Sequence, residues 1–400
     1  MAEPTTAGPL SELRVLELGG IGPGPFATML LADMGADVVR IDRPGAPTLF
    51  PGEPTHNLLN RGKRSVALDL KTREGRQAAL DLAGQADAVV EGFRPGVAER
   101  LGLGPEDLWP DSPHLVYGRM TGWGSDGPRA STAGHDINYI AATGALHAIG
   151  TAEGPPQVPL NLIGDFGGGG TYLVIGLLAA LREADRTGRG QVVDAAIIDG
   201  AAHLLAGTHA RMAAGSWADR RGSNLLDGGA PFYGTYQTAD GEYMAVGALE
   251  APFFAQFIKA LGVDVPVDEQ NDRETWPALR TRVEARFRER TQAEWAATFD
   301  HTDACVTPVR SLRGALQDPQ IAARGALIER DGVLQPGRAP RFPAHRQPPI
   351  GTPPRTGQHT SDVLREWTTE SPRRSLRDRA GGTGQPDTPP HPSVATEQPH

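Results

Sequence analysis

A histidine and an aspartate, each in a glycine-containing polar stretch, are the residues of this sequence best suited to proton transfer. His135 lies within Gly134–Tyr139, and Asp165 precedes the run Gly167–Gly170. That run leads into an apolar segment that predicts a buried helix over 171–185. A helix N-terminus favours a carboxylate because its backbone N–H groups are free, and glycines let a flat ligand approach the main chain. The pattern predicts a base, an acid and a patch of open amides, which together can move a proton on carbon.

The two side chains differ in how easily they give and take a proton. Imidazole, with an ordinary pKa of about 6.5, works in either direction near neutrality. An aspartate, at about 3.9, is a poor acid unless burial raises its pKa. Phe166 and the following apolar helix favour such burial, which would raise the pKa of Asp165. A helix N-terminus would instead lower that pKa. The sequence therefore leaves the pKa of Asp165 open.

Composition narrows the class of protein. A chain of 400 residues exceeds one small core, so two domains are expected. The net charge of −9 disfavours nucleic acid as the main partner. With one cysteine, Cys305, there is no intrachain disulfide, and we expect a buried thiol in a reducing cytoplasm. Residues 1–8 lack a secretion signal, and no segment approaches the roughly 20 apolar residues that span a bilayer. We therefore expect a cytoplasmic protein without a membrane partner.

The order of predicted elements indicates an α/β fold with a parallel sheet. Six segments have the composition of strands: Leu13–Leu18, Ala36–Asp42, Ser65–Leu70, Ala88–Phe93, Leu115–Met120 and Gln191–Ile198. Helices are predicted between them, including 26–35 and 72–83. We expect a large Rossmann-like domain over 10–200, completed by a return of about 330–365.

The texture of the sequence changes after linker helices predicted at 201–227. Two alternating segments flank Asp240-Gly241, which is typical of a hairpin. Helices are predicted at 251–261, 276–288 and 291–299, so 228–329 forms a smaller α+β domain. The tail 370–400 is rich in proline, glycine and polar residues and is expected to be disordered.

Glycines after the first strand and Asp42 about 20 residues later resemble a nicotinamide-dinucleotide fingerprint. The loop does not complete the G-x-G-x-x-G pattern, and Pro23 and Pro25 remove two N–H donors. A structural turn, or a nucleotide-containing ligand of another kind, fits better.

The basic run 61–64 is either a solvated face or a phosphate site. Arginine suits phosphate through charge-assisted hydrogen bonds. Arg43 and Arg94 follow predicted strands, and Arg100 is nearby. Because ligands bind outside the carboxyl ends of strands in open α/β sheets, these arginines are candidates for one anionic ligand.

The segments described above, together with the further blocks given below, resemble those of the family III CoA-transferases (CaiB/BaiF). The resemblance covers roughly residues 10–345, and the block Gly134–Tyr139 resembles the branch that racemises 2-methylacyl-CoA thioesters. The other matching blocks are Leu18–Pro25, Ala36–Pro44, Arg61–Leu70, Phe93–Leu103, Met120–Gly124, Pro159–Gly169, Gly188–Ala195, Leu226–Tyr233, Val246–Glu250 and Thr302–Val309.

The resemblance implies a role for individual residues. His135 and Asp165 match the catalytic pair, and Glu250 matches a glutamate that supports the histidine. The implied CoA contacts are Arg43, Ala67, Leu68, Asp69, Leu70, Arg94, Arg100, Gly134, Asp136, Ile137, Asn138 and Tyr139. The family implies an interlocked homodimer whose sites lie between the large domain of one subunit and the small domain of the other.

Three activities remain open. The first is racemisation by 1,1-proton transfer through an enolate, with no metal or redox cofactor and with CoA as part of the substrate. The second is CoA transfer, in which Asp165 attacks the thioester and forms an acyl–enzyme anhydride. The third is acyl-CoA binding without catalysis. His135 favours racemisation, because anhydride chemistry needs no second proton-transfer group.

Overall fold

The computed structural model describes residues 8–45, 52–345 and 349–369. The predicted tail 370–400 lies outside the described residues. The strands are β1 Arg14–Glu17, β2 Asp37–Asp42, β3 Arg64–Ala67, β4 Ala88–Glu91, β5 Val116–Thr121, β6 Val192–Ala196, β7 Tyr233–Gln237, β8 Tyr243–Gly247, β9 Val306–Pro308, β10 Leu327–Arg330 and β11 Val333–Pro336.

The helices alternate with these strands. They are α1 Pro23–Asp33, α2 Arg73–Ala83, α3 Val97–Arg100, α4 Pro105–Leu108, α5 Asp136–Ala142, α6 Ala145–Ala148, a π-helix Leu162–Gly170, α7 Thr171–Thr187, α8 Ile197–Leu204, α9 Ala206–Ala213, α10 Ala251–Leu261, α11 Trp276–Phe287, α12 Gln292–Phe299, α13 Pro319–Arg324 and α14 Thr360–Thr369. Short 3-10 turns occupy Pro54–His56, Leu58–Asn60, Val267–Glu269 and Gly314–Gln317.

The larger sheet has six parallel strands in the order β3-β2-β1-β4-β5-β6. Leu16 of β1 is aligned with Val39 of β2 and with Val89 of β4. All four residues of β4 are buried, as expected for a strand covered on both faces. The predicted α/β class and parallel sheet are confirmed. The observed strands are shorter than predicted because apolar residues continue past the paired ladder.

A single apolar helical run lies behind β5. The π-helix and α7 join into Leu162–Thr187, and a Cβ on Gly118 of β5 would lie 3.0 Å from Leu177 and 3.1 Å from Leu173. The run has 26 residues, and its most apolar 18-residue window has a mean hydropathy of 1.4 with 39% of that window buried. The run is long and apolar enough to cross a membrane. Core helices of soluble proteins can have the same length and composition. The expectation that no segment reaches that length was wrong, because the glycine run counted as a loop is helical.

The smaller sheet, β7-β8-β9, is antiparallel and has a core of its own. The hairpin predicted at Asp240-Gly241 joins β7 to β8, and α10, α11 and α12 lie at the predicted positions. Helix α12 begins with a capping box, in which Thr291 and Glu294 bond to each other's backbone, as the Thr-x-x-Glu spacing of the sequence predicts. The core formed by the smaller sheet and these helices is rich in aromatic side chains: the Phe287 ring packs against Trp295 at a centroid distance of 5.4 Å.

The chain returns to the larger sheet at its C-terminal end. The Ala67 N–H of the edge strand β3 donates to Thr360 Oγ1 at 3.0 Å. Trp367 of α14 is fully buried, and its Nε1 donates to Asp37 Oδ2 at 3.2 Å. Residues 357–369 therefore cover a strand edge that would otherwise be open to pairing.

One expectation about the smaller-sheet region was wrong. Cys305 is exposed rather than buried, and its backbone is left-handed with φ 53°. The apolar pattern around it belongs to neighbours Ala304 and Val306, which are buried. Cys305 lies just before β9, where the turn directs its thiol outward.

Candidate active site

Asp165 lies in the first turn of the π-helix, beside the N-terminus of α5. Its backbone N–H donates to Asp136 Oδ2 at 2.6 Å. Its side-chain Oδ2 accepts from Asn161 Nδ2 at 3.3 Å. π-helical turns are rare and often occur at functional sites. Asn161, the residue before the π-helix, thus holds the half-buried carboxylate, and Asp136 of α5 holds the Asp165 backbone.

The glycine run serves helix packing rather than ligand approach. A Cβ on Gly168 would lie 2.6 Å from the Ala201 nitrogen, and one on Gly200 would lie 1.9 Å from the Gly168 oxygen. Helix α8 therefore packs backbone to backbone on the π-helix. In a π-helix each N–H bonds to a carbonyl five residues earlier, so the amides of 167–169 point along the helix. The expected patch of open amides was wrong.

His135 is the residue immediately before α5. Its backbone is extended, its N–H donates to Asn138 Oδ1 at 3.0 Å, and its side chain is exposed. Asp136, the next residue, is turned inward: its side chain is 5% exposed, and a Cβ on Gly164 would lie 2.5 Å from its Oδ2. The side chain of Asp136 therefore supports the π-helix, which leaves only its backbone for a CoA contact.

The pKa of Asp165 is raised above its ordinary value of 3.8. Burial of the carboxylate is the largest cause, and the negative charge of Asp136 adds to it. The hydrogen bond from Asn161 and the charge of His135 pull the pKa of Asp165 down. His135 and Asp165 interact electrostatically, and the hydrogen bond from the Asp165 N–H to Asp136 holds Asp165 beside the residue that follows His135. Burial is the largest of these influences, so the pKa of Asp165, which the sequence left open, lies above its ordinary value.

Tyr139 forms the wall behind this pair. Its ring meets Trp123 edge-on at a centroid distance of 4.8 Å. A Cβ on Gly122 would lie 2.0 Å from the Tyr139 ring, so glycine is required there. Burial and the charge of Asp165 raise the pKa of the Tyr139 hydroxyl. Tyr139 is therefore a packing and polar neighbour of Asp165, while Ile137 and Asn138 are exposed.

The loop after β1 lies against the carboxylate on its other side. Gly22 has φ 68°, and a Cβ there would lie 3.2 Å from Asp165 Oδ2. Arg40 donates to the Gly20 carbonyl at 3.1 Å, and Lys63 donates to the Pro25 carbonyl at 3.0 Å. Side chains from the sheet therefore hold this glycine loop in place.

The basic run 61–64 is neither a solvated face nor a phosphate site. Arg61 is 1% exposed and pairs with Asp33 at 2.5 Å. Lys63 is 3% exposed and pairs with Glu17 at 2.7 Å. Charges at this depth need partners, and the sequence could not show which acids would supply them.

The remaining predicted CoA contacts follow the carboxyl ends of the strands of the larger sheet. Arg43 follows β2, Ala67 ends β3, and Arg94 follows β4. Because the strands are parallel, their carboxyl ends share one end of the sheet with the segment that carries His135. Arg43, Arg94 and Arg100 are exposed there.

The side chains of the turn after β3 make contacts within the protein. Leu68 packs in the core on that side of the sheet. Asp69 Oδ1 accepts from the Lys71 N–H at 3.0 Å, within the same turn. Leu70 is half-buried and packs against the same core.

Glu250 stands apart from the pair. It is exposed at the N-terminus of α10, and among the described residues no hydrogen bond or ion pair joins it to another side chain. Its charge, with burial as the larger cause, raises the pKa of the Cys305 thiol. Within one chain, Glu250 therefore belongs to the neighbourhood of Cys305 in the smaller-sheet region rather than to that of His135.

Residues 10–360 match the family described as CoA-transferase family III. The chain belongs to this family. It is 45% identical over 362 residues to "Alpha-methylacyl-CoA racemase" of Mus musculus, covering 90% of this chain and 93% of that protein. It is 42% identical over 366 residues to the protein of the same name from Homo sapiens, with coverage of 90% and 93%. The crystal structure of a CAIB/BAIF family protein from Brucella suis superposes with a TM-score of 0.76 at 28% identity, covering 91% of this chain and all of that one.

Within the described residues, no group of three or more His, Cys, Asp or Glu side chains has metal-binding spacing. Sequence reasoning missed Asn161, which contacts Asp165, and Gly22, which lies against it. Asn161 carries the one polar side chain between Pro159 and Asp165, and that isolation was the available signal.

Proposed function

We propose that this member of CoA-transferase family III is a racemase that interconverts (R)- and (S)-2-methylacyl-CoA thioesters. The observation that carries the proposal is the hydrogen bond from the Asp165 N–H to Asp136, which holds Asp165 beside the segment that carries His135. The carboxylate and the imidazole are groups that can each take and give a proton. The two relatives named as alpha-methylacyl-CoA racemases support it at 45% and 42% identity.

The proposed reaction removes and returns one proton at C2. The thioester carbonyl acidifies the C2–H bond, and one of the two side chains takes that proton while the electron pair moves into an enolate. The other side chain then gives a proton to the opposite face, and the enolate electrons form the new C–H bond. Configuration is inverted and no electron is gained or lost, so we propose neither a redox cofactor nor a metal.

The raised pKa of Asp165 suits this exchange of roles. A general acid–base group works best when its pKa is near the working pH. Burial moves the carboxyl toward that range, which the imidazole of a histidine already occupies at about 6.5. The Asp165 carboxyl is therefore better suited to this exchange than that of an ordinary aspartate.

We also propose that the site is completed in an interlocked homodimer. Residues 10–200 and about 330–365 would form the large domain, 201–227 linker helices, and 228–329 the small domain. Exposed Glu250, without a partner among the described residues, would then support His135 of the other subunit. Apolar side chains left exposed on the large-sheet region, Ile21, Leu162 and Leu204 among them, support a covered face.

The proposed substrate binds through its CoA moiety at the edge of the larger sheet. Arg43, Arg94 and Arg100 are exposed there and suit its phosphates. The backbone of 67–70 and of 134–139 would meet the rest of the CoA. An exposed thiol at Cys305 is stable in a reducing compartment, which supports a cytoplasmic location. We propose no nucleic-acid or membrane partner.

The alternative is CoA transfer, which the family description itself favours. An Asp165 oxygen would attack the thioester carbonyl and expel CoA thiolate, which leaves an acyl–enzyme anhydride. The CoA thiolate would then attack the Asp165 carbonyl of the anhydride, which releases the first carboxylate and forms an aspartyl-CoA thioester. The carboxylate of a second acid would attack that thioester, expelling CoA thiolate and forming a new anhydride, and the thiolate would attack the new acyl carbonyl to give the second acyl-CoA and free Asp165. This chemistry has no use for a proton-transfer group at 135.

Incubation of the enzyme with a 2-methylacyl-CoA in D₂O distinguishes the two. Racemisation requires deuterium at C2, seen by ¹H NMR, and no adduct when hydroxylamine is present. An Asp165 hydroxamate, detected by mass spectrometry and without deuterium at C2, would instead establish transfer. Unchanged exchange in His135→Ala would overturn the assignment of the histidine.

A further inference from the structure

Asn161 occupies a strained approach to Asp165. The preceding residue, Leu160, is left-handed with φ 59°, a conformation that costs a leucine on the order of 1–3 kcal/mol. Its side chain is 70% exposed, so burial of Leu160 does not explain the strain. The turn instead brings the Asn161 amide, one helical turn earlier, onto the Asp165 carboxylate.

Two independent contacts converge on the same oxygen of Asp165. Asn161 Nδ2 donates to Oδ2 at 3.3 Å. The backbone at Gly22 lies so close that a Cβ would be 3.2 Å from Oδ2. Among the described residues, no hydrogen bond is made to Oδ1. One oxygen is therefore anchored and the other is left for chemistry.

We propose that Asn161 is a positioning residue that fixes Oδ2 of Asp165, so that Oδ1 is the oxygen that carries the substrate proton. This inference rests on the proposed function for the identity of the proton. The Asn161 amide also opposes the neighbouring negative charge of Asp136 by stabilising the ionised carboxylate.

The charged and titratable groups around Asp165 come from one neighbouring element. Helix α5 and its N-terminus supply His135, Asp136 and Tyr139. The loop at Gly22 offers backbone, and α8 packs on the π-helix through Gly200 and Ala201. Loss of the Asn161 donor leaves burial and Asp136 less opposed, so the pKa of Asp165 should rise further.

The test compares Asn161→Ala, the near-isosteric Asn161→Asp, and a control, Gln157→Ala. Gln157 is an exposed amide of the same segment whose side chain bonds only within its own loop. We expect Asn161→Ala to lower kcat for C2 proton exchange by about 10- to 100-fold, as for a misplaced catalytic group, with little change in KM. Its acidic pH limb should move to higher pH. Asn161→Asp should shift further in the same direction, and the control should match wild type.

A readout without turnover separates this inference from the proposed function. ¹³C NMR of labelled aspartate carboxyls, with Asp165 assigned from Asp165→Asn, gives its pKa directly. A higher pKa in both Asn161 variants supports the inference even in an enzyme that does not racemise. An unchanged pKa, or a fall in kcat without a shifted pH limb, would overturn it. If Asn161→Ala does not fold, Asn161→Asp decides the matter alone.

Discussion

Two carboxylates on either side of one glycine loop have opposite environments. Glu17 is fully buried at the end of β1, and Asp165 is half-buried beyond the loop that follows. Burial would raise the pKa of Glu17, but the charges of Lys63 and Arg40 outweigh it and leave the pKa lowered. Burial raises the pKa of Asp165, and no lysine or arginine in the described part of the chain opposes it. A structural acid is compensated by cations, whereas an acid that must exchange a proton is left poised.

The hydrogen bonds of the two groups repeat the contrast. Glu17 Oε2 accepts from Lys63 Nζ and from Thr28 Oγ1, both at 2.7 Å, and its Oε1 pairs with Arg40. Asp165 has one side-chain donor, a neutral amide. Because Lys63 and Arg40 also bind loop carbonyls, the compensated acid anchors the loop on which the poised acid depends.

The largest effect should come from the isosteric change Asp165→Asn. Removal of a general acid–base group lowers rates by about 10²- to 10⁴-fold, while the loss of a poorly compensated charge should not lower stability. Rates of racemisation are measured from one pure enantiomer, and stability is measured by urea unfolding. A variant that unfolds at much lower urea would place Asp165 with Glu17 as a structural acid.

Lys63→Met should lower the free energy of unfolding rather than act directly on the proton-transfer step. It leaves Glu17 buried with one cation fewer, and breaking such a pair costs about 3–5 kcal/mol. The control Arg64→Met removes a half-buried arginine from the neighbouring position. Urea unfolding measures both, and a cost for Lys63→Met no greater than for the control would contradict the account.

Acid should affect the two carboxylates in opposite directions. Glu17 has a lowered folded-state pKa, so the stability it contributes is present above pH 4.5 and is lost as pH falls through the folded value. Asp165 has a raised one, so its contribution is present below pH 3.8 and is lost as pH rises through its folded value. Urea midpoints from pH 3 to 7 should flatten at the acid end in Glu17→Gln. In Asp165→Asn the urea midpoints should rise relative to wild type as pH approaches neutrality. The same pH response from both variants would contradict the proposed difference between Glu17 and Asp165.

The smallest effect should follow from Glu366→Gln, which breaks a pair with Arg64 at 2.5 Å on the surface. Exposed ion pairs contribute about 0–1 kcal/mol and are screened by salt. Thermal unfolding in low and high salt measures the change. A loss of stability comparable with that of Lys63→Met would mean that solvent exposure does not decide how much an ion pair of this protein contributes to stability.

The sequence predicted what depends on local pattern. Strand and helix order, the hairpin at Asp240-Gly241 and the capping box at Thr291 follow from periodicity and turn chemistry. His135 and Asp165 were identified through family resemblance, and their catalytic roles stay predictions; a hydrogen bond from the Asp165 N–H to Asp136 joins the two segments that carry them. Helix boundaries in the smaller-sheet region were also correct.

What the sequence could not show depends on contacts between distant residues. Four consecutive glycines suggest a loop, but here they let α8 pack on a helix. Arg61 and Lys63 look solvated until β1 and α1 bring Glu17 and Asp33 to them. The exposure of Cys305 follows from one left-handed turn.

The central claim is that His135 and Asp165 act from opposite faces of C2, and enantiomer-resolved exchange in D₂O tests it most directly. Each pure enantiomer of a 2-methylacyl-CoA is incubated with His135→Ala and with Asp165→Ala, and deuterium and configuration are followed together. We expect each variant to exchange one enantiomer with retention, a different one in each case, and to racemise neither. Exchange of both enantiomers at the wild-type rate in either variant would contradict the account.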